Sequence, residues 1–148
     1  ENNKYGMGTS VTRASAGKSL AERGKAYGIP GLEVDGMNIF SVREAGKKAL
    51  DYARKGKGPF ILEMKTYRYR GHSMSDPAKY RTRSEVDAVR QQKDCIENLK
   101  EILQEQKITD DHFKKIDSEI KSNVSVASDF ALDSSLPDKK ELLTDIYI

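Results

Sequence analysis

Cysteine, histidine and long apolar runs are all scarce in this 148-residue chain, and each scarcity removes a class of protein. The lone Cys95 leaves no internal disulfide framework and fits a reducing compartment, where it reads as a helix packing residue rather than a nucleophile. Histidine occurs only as His72 and His112, so no zinc site of the His/Cys type can be assembled. No apolar stretch approaches the roughly 20 residues of a membrane span, and the opening ENNKYGMG has no signal-peptide character. The expectation is a soluble, cytoplasmic protein with no membrane partner. Charge of one sign is not in large excess either. Twenty-six basic against 23 acidic residues give a formal net charge of +3, too little to argue for a nucleic-acid partner. Internal repeats and low-complexity tracts are also missing. What is there, 36% apolar and 33% charged residues over about one domain's length, suits a soluble fold with a real core.

From Gly31 to Tyr69 the pattern reads strand, helix, strand. Leu32 and Val34 sit at strand spacing in GLEVDG, Val42, Ala45, Ala49 and Tyr52 fall on one face of a helix over 41–55, and FILEMKTYR is a short apolar run after Pro59. Ser41 with Glu44 makes a capping-box pattern at the helix start, and Gly56 to Pro59 supply the stop. Strands alternating with helices predict an α/β fold with a parallel sheet, whose ligand sites lie at the carboxyl ends of its strands. After Arg83 the strand signal stops. Ile96, Leu99, Ile102 and Leu103 mark one helix, and Phe113, Ile116, Ile120 and Val124 mark a second that starts around Thr109, Asp110 and Asp111. ASDFALDSSLPDKK reads as a connector to the terminal segment ELLTDIYI. The expected division is therefore 1–83 and a helical region 84–148.

The segment TYRYRGHSMSDPAKYRTR, residues 66–83, directly follows the second strand. Arg68, Arg70, Lys79, Arg81 and Arg83 stand against a single acid, Asp76, a composition suited to holding phosphate or carboxylate in forked geometry. His72 lies among the small residues Gly71, Ser73 and Ser75, reachable and able to move protons near neutral pH. A solvated, charged connection between sheet and helices accounts for the same residues, and on composition alone the two readings stand level. Asn2, Asn3 and Tyr5, followed by a Gly-rich turn, offer oxygen ligands to a hard cation such as magnesium, or form an ordinary turn. Other signals reduce to structure. Gly17-Lys18-Ser19 lacks the glycine that a phosphate loop needs where Thr12 stands, and reads as a polar connection into a helix SLAERGKAY. Arg54 to Pro59 read as a helix C terminus, and His112 as a solvated residue of a first helical turn.

Taken together, ENNKYGMGTSV at 1–11, IPGLEVDGM at 29–37, VREA at 42–45, GKGPFILEMKTYRYRGHSMSDP at 56–77 and YRTR at 80–83 resemble the alpha subunits of the thiamine diphosphate-dependent 2-oxo acid dehydrogenases. The resemblance covers most of residues 1–83, and the helical tail is compatible with it. It implies the second half of a thiamine diphosphate-binding fold, parallel strands with flanking helices, followed by a helical region; the chain reads as the C-terminal portion of such a subunit. It implies a magnesium site to which Asn3 gives a side-chain oxygen and Tyr5 its backbone carbonyl, completed by a Gly-Asp-Gly half that this chain lacks. The chain alone is thus expected to bind metal and cofactor weakly and to be inactive. His72 is implied to lie at the active-site mouth beside the cofactor, moving a proton or handing the acyl group to lipoamide, with Arg68 and its neighbours in support. Ser73 and Ser10 match serines phosphorylated in mitochondrial members. Lys79 and a shorter loop favour a bacterial, unregulated version; a eukaryotic one would sit in the mitochondrial matrix. The implied reaction is decarboxylation of pyruvate with transfer of the acetyl group to the lipoyl domain of a dihydrolipoamide acetyltransferase, by a heterotetramer of two alpha and two beta subunits. Acetoin or a branched-chain 2-oxo acid is the rival substrate. The rival of another class is a non-catalytic basic module that binds polyanions through 66–83, although the cluster carries no nucleic-acid motif.

Overall fold

The alternation of strand and helix signals produces a small parallel sheet. The computed structural model describes residues 1–146, the Lys93 side chain excepted, as two units, Glu1–Ile102 and the residues from Leu103 onward. In the first unit, β1 (Tyr5–Gly6) and β2 (Thr9–Ser10) make a short antiparallel hairpin. A single turn, α1 (Val11–Ala14), and a 3-10 helix (Ala21–Tyr27) then lead into β3 (Gly31–Asp35). α2 (Ile39–Arg54) crosses over to β4 (Ile61–Lys65), which pairs in parallel with β3 from Gly31 opposite Ile61 to Asp35 opposite Lys65. Asn2 extends the sheet beyond β4. Its N–H donates to the Met64 carbonyl at 2.7 Å, and its carbonyl accepts the Thr66 N–H at 2.9 Å.

Strand alternation decides which residues these strands bury. The register sets Val34 beside Met64 and Glu33 beside Glu63, so Val34 and Glu63 point to opposite faces. The 3-10 helix lies over the Glu63 face, where the Ala21 N–H meets the Glu63 carboxylate. The buried apolar residues are Val34, Ala21, Ala45 of α2 and Tyr67. The helical face read from spacing is the inner one: Ala45 is buried, Val42, Ala49 and Tyr52 are half-buried, and Tyr52 meets Phe60 edge-on at 5.6 Å.

The start of α2 differs from expectation. Asn38, not Ser41, is the cap; its side-chain oxygen accepts the Phe40 N–H at 3.0 Å and the Ser41 N–H at 3.1 Å. An extended asparagine three residues upstream takes both donors first and leaves Ser41 inside the first turn. The stop is as read, with Gly56 in the left-handed region at φ 69°. SLAERGKAY forms a 3-10 helix rather than an α-helix, in keeping with Gly24 at its middle.

After residue 82 all the regular structure among the described residues is helical, but there are more elements than periodicity predicted. α3 (Arg83–Lys93) has no clear apolar stripe to announce it; Glu85, Val86 and Val89 are half-buried, and Thr82 caps it by accepting the Glu85 N–H at 3.1 Å. α4 (Cys95–Glu105) begins with half-buried Cys95 and turns Leu99, Ile102 and Leu103 inward, whereas Ile96 is exposed. In the second unit α5 (Asp110–Asp133) starts after Thr109 as read, then runs on through ASDFALD, which had been assigned to a connector. Nothing in that stretch breaks a helix before Pro137, and α5 ends at Asp133 with Ser134 as its extended cap. A 3-10 helix (Lys139–Leu143) follows, and the last two residues of ELLTDIYI lie outside the described residues. Among the described residues no helix is long and apolar enough to cross a membrane.

Candidate functional site

Two segments far apart in sequence leave the sheet together. Asn2 is bridged in parallel to Lys65, the last residue of β4, so Asn3–Tyr5 and the loop from Thr66 both depart from the carboxyl end of the strands. Ligand sites of parallel sheets lie at that end. There Asn3, Tyr5 and His72 line one small crevice with Met7, Arg68, Tyr80 and Arg81.

The first segment is a tight turn held from below. The Asn2 side-chain oxygen accepts the Lys4 N–H at 3.1 Å, and Lys4 takes a left-handed φ of 73°, an uncommon state for lysine. The Lys4 carbonyl accepts the Val11 N–H at 2.8 Å, which closes the β1–β2 hairpin. Among the described residues the half-buried Asn3 side chain has no hydrogen-bond partner, so its amide oxygen remains open to a ligand. The Tyr5 ring tilts against Tyr80 with centroids 5.2 Å apart. Beneath the turn sits Glu63, 5% exposed, which accepts from Asn2 Nδ2 at 2.7 Å, Ser19 Oγ at 2.5 Å and the Ala21 N–H at 3.0 Å. Burial alone would raise its pKa, but the hydrogen bonds from Ser19, Asn2 and the Ala21 and Leu20 amides together outweigh it and hold the carboxyl at about 2.

The second segment is organised by an acid and an arginine. Asp76 accepts the His72 N–H at 2.7 Å, the Ala78 N–H at 2.8 Å and the Tyr80 hydroxyl at 2.9 Å. The His72 amide first, then the Ala78 amide, hold its carboxyl below the usual range. The loop crosses itself so closely here that a Cβ on Gly71 would come 2.5 Å from the Asp76 carbonyl. Arg81 is buried, contrary to its reading as an anion holder. It donates to the Arg68 carbonyl and, at 3.1 Å, to the Arg70 carbonyl, and its guanidinium lies over the rings of Tyr5 at 5.6 Å, Tyr67 at 5.2 Å and Tyr80 at 5.2 Å. A planar cation among three tyrosines meets loop carbonyls and ring faces at once, while its Nε is buried without a hydrogen-bond partner among the described residues. Arg70, Lys79 and Arg83 remain exposed.

His72 is exposed, with Arg68 Nη1 3.4 Å from its Nδ1. A guanidinium only donates, so in this contact Nδ1 is the acceptor. Ser73 is exposed beside it, its Oγ 3.0 Å from Ser75 Oγ. The loop's base is tied to α3: the Tyr67 hydroxyl donates to Glu85 at 2.8 Å, and burial followed by that carboxylate pushes its pKa up. Burial and the neighbouring Asp94 push Tyr69 up to about 12, while Arg90 lies over its ring at 5.0 Å.

The other signals resolve into structure. Ser19 of Gly-Lys-Ser donates to Glu63, Arg54 ends α2, and His112 is exposed in the first turn of α5. Among the described residues no group of three or more His, Cys, Asp or Glu could hold a metal. Among the described residues no carboxylate lines the crevice. A cleft of about 530 Å³ lies beside the turn, bordered by Asn2, Tyr5, Ser10, Lys18, Glu63 and Lys65 among others. Sequence reasoning missed Glu63 and the Asp76 and Tyr80 contacts. The signal for Glu63 was there, a lone acid inside the apolar run Ile61-Leu62-Glu63-Met64.

Comparison with known proteins places the chain. The family described as "Dehydrogenase E1 component" matches residues 1–140. "Pyruvate dehydrogenase E1 component subunit alpha" of Rhizobium meliloti (strain 1021) is 51% identical over 149 residues, covering 100% of this chain and 43% of the relative. The protein of the same name from Zymomonas mobilis is 50% identical, covering 100% of this chain and 42% of its own length. A mitochondrial one from Dictyostelium discoideum is 50% identical, with 100% and 39% covered. The chain therefore spans about two fifths of the curated relatives it matches. On the family match over 1–140 and half-identity along its whole length, this chain belongs to the dehydrogenase E1 component family.

Proposed function

We propose that the chain is part of the alpha subunit of a pyruvate dehydrogenase E1 component and contributes one side of its thiamine diphosphate site together with the loop over it. What supports this is the convergence of Asn3, Tyr5 and His72 at one crevice at the carboxyl end of the sheet. The family is in general thiamine diphosphate-dependent, and its alpha subunits act with a beta subunit in a multienzyme complex. Residues 1–83 are the cofactor side in this reading, with 66–83 as the active-site loop, and 84–148 the helical region.

The residues present suit a magnesium diphosphate. Asn3 would give its open amide oxygen and Tyr5 its backbone carbonyl, hard neutral donors of the kind this cation takes. With no carboxylate in the crevice, balancing charge has to come from the diphosphate and from outside this chain, so the chain alone binds metal weakly. Thiamine diphosphate, when bound, supplies the electron sink for decarboxylation. The chain's own residues orient and move protons. His72 is exposed with Arg68 against its Nδ1, which leaves Nε2 as the ring nitrogen to give and retrieve a proton at the mouth of the site. Asp76 and Arg81 hold the backbone that presents it. Pyruvate is the substrate in this reading, a lipoyl domain of the acyltransferase the acceptor, and a heterotetramer with the beta subunit the working form.

The test is turnover of the full-length protein with its beta partner on pyruvate, acetoin and branched-chain 2-oxo acids. Pyruvate should be preferred; preference for acetoin overturns the substrate assignment. His72→Ala should lower lipoyl-dependent turnover by about 100-fold and leave cofactor affinity nearly unchanged. Full turnover in that variant removes His72 from the mechanism.

A further inference from the structure

We infer that Glu63 is a positioning residue of this site: acting through the Asn2 side chain, it sets the turn that carries Asn3 and Tyr5. The consequence for metal binding rests on the proposed function, whereas the positioning itself does not.

Along the backbone the N-terminal segment is joined to β4 through one bridging residue, Asn2, and its two hydrogen bonds; Thr66 Oγ1 also donates to the Glu1 carboxylate at 3.2 Å, and Lys4 Nζ lies 5.7 Å from the Tyr67 ring. So short a pairing leaves the rotation of the following turn poorly determined. The side chains supply what the ladder lacks. One Glu63 oxygen accepts from Asn2 Nδ2 at 2.7 Å, and the Asn2 oxygen accepts the Lys4 N–H at 3.1 Å. A carboxylate only accepts, so it compels the amide to present its NH2 downward and its oxygen upward to Lys4. That upward oxygen stabilises the left-handed Lys4 at φ 73°, and Asn3 lies between the two residues so bound. The second Glu63 oxygen, on Ser19 Oγ and the Ala21 N–H, keeps the acid from swinging away.

Packing does not ask for an acid here. Glu63 is 5% exposed in an apolar run, and its hydrogen bonds come from neutral donors; Lys65, two residues on, pairs instead with Glu33 at 2.6 Å. A buried carboxylate without a cation is costly, and an apolar side chain would fill the space more cheaply. What an apolar residue cannot do is dictate which end of the Asn2 amide faces Lys4. Because β4 continues into the loop that bears His72, the same residue also keeps the two halves of the crevice in step.

The test uses the full-length protein with two readouts: exchange of the Lys4 amide without cofactor, and Mn2+ affinity with thiamine diphosphate present, by electron paramagnetic resonance. Glu63→Gln should accelerate Lys4 exchange and weaken Mn2+ binding about tenfold, the scale expected for a residue that orients a metal ligand's neighbour. Adding Asn2→Asp to Glu63→Gln exchanges donor and acceptor across the pair and should restore most of both. Asn2→Asp alone sets two carboxylates together and should not. Ser19→Ala leaves the Ala21 N–H on the second oxygen and the Asn2 contact intact, so it should weaken Mn2+ binding less than Glu63→Gln; an equal or larger loss overturns the route through Asn2. Unaltered Lys4 exchange in Glu63→Gln, or no recovery in the double variant, overturns the positioning role. Loosened exchange with full Mn2+ affinity overturns its consequence for the metal. A parent protein that binds no Mn2+ overturns the magnesium reading, and the exchange result still decides the role of Glu63.

Discussion

Lowering the pH below 4.5 should remove a definable share of this protein's stability through one residue. Glu63 is held at about 2 against an ordinary 4.5, by hydrogen bonds that outweigh the opposing effect of burial. That gap corresponds to roughly 3 kcal/mol of preference for the ionised folded state, as an upper figure. Because the folded value is the lower one, the contribution is complete above pH 4.5 and is lost as pH falls toward about 2. The assay is urea unfolding of parent and Glu63→Gln at a series of pH values across that window. Asp76 and Asp94, also held low, titrate in both proteins, so the difference isolates Glu63. The parent's advantage should shrink by about 1.4 kcal/mol per pH unit and nearly vanish at the acid end. A difference that stays constant with pH would show that the Asn2 and Ser19 contacts do not favour the carboxylate. One that grows as pH falls would show that burial dominates.

Other expectations follow from the loop and the helix cap. Arg81→Met keeps bulk but loses two donors to loop carbonyls and the charge over three rings; it should destabilise by about 2–4 kcal/mol in thermal unfolding and speed amide exchange over 68–76. Gly71→Ala drives a methyl against the Asp76 carbonyl, 2.5 Å from the ideal Cβ position, and should cost about 1–3 kcal/mol and open 66–83 to limited proteolysis. Asn38→Ala removes both cap hydrogen bonds of α2 and should cost about 1 kcal/mol in urea unfolding, against a few tenths for Ser41→Ala. The reverse order would restore Ser41 as the cap.

How much of this was legible in the chain depends on the range of the interaction involved. Val42, Ala45, Ala49 and Tyr52 announce a helix face because helical neighbours recur within a few residues, and Leu32 and Val34 announce a strand for the same reason. The parallel pairing followed from strand, helix and strand in succession; that Asn3, Tyr5 and His72 line one crevice is a fact of the fold. α3 was illegible because its sequence, RSEVDAVRQQK, buries too little to show a stripe. The cap of α2 was misread because two suitable residues stood close together, and backbone geometry chose the earlier one.

Local pattern thus carried most of the elements, since they are written in short-range order. Which arginine of the loop turns inward, which end of the Asn2 amide faces Lys4, and that a residue at the start of the chain bridges the end of β4 are long-range facts. Arg81 and Arg83 are the same residue two positions apart, yet one is enclosed by Tyr5, Tyr67 and Tyr80 and the other faces water. Only the fold, by bringing distant donors and acceptors within hydrogen-bond reach, separates the charge that builds the loop from the charges it leaves exposed.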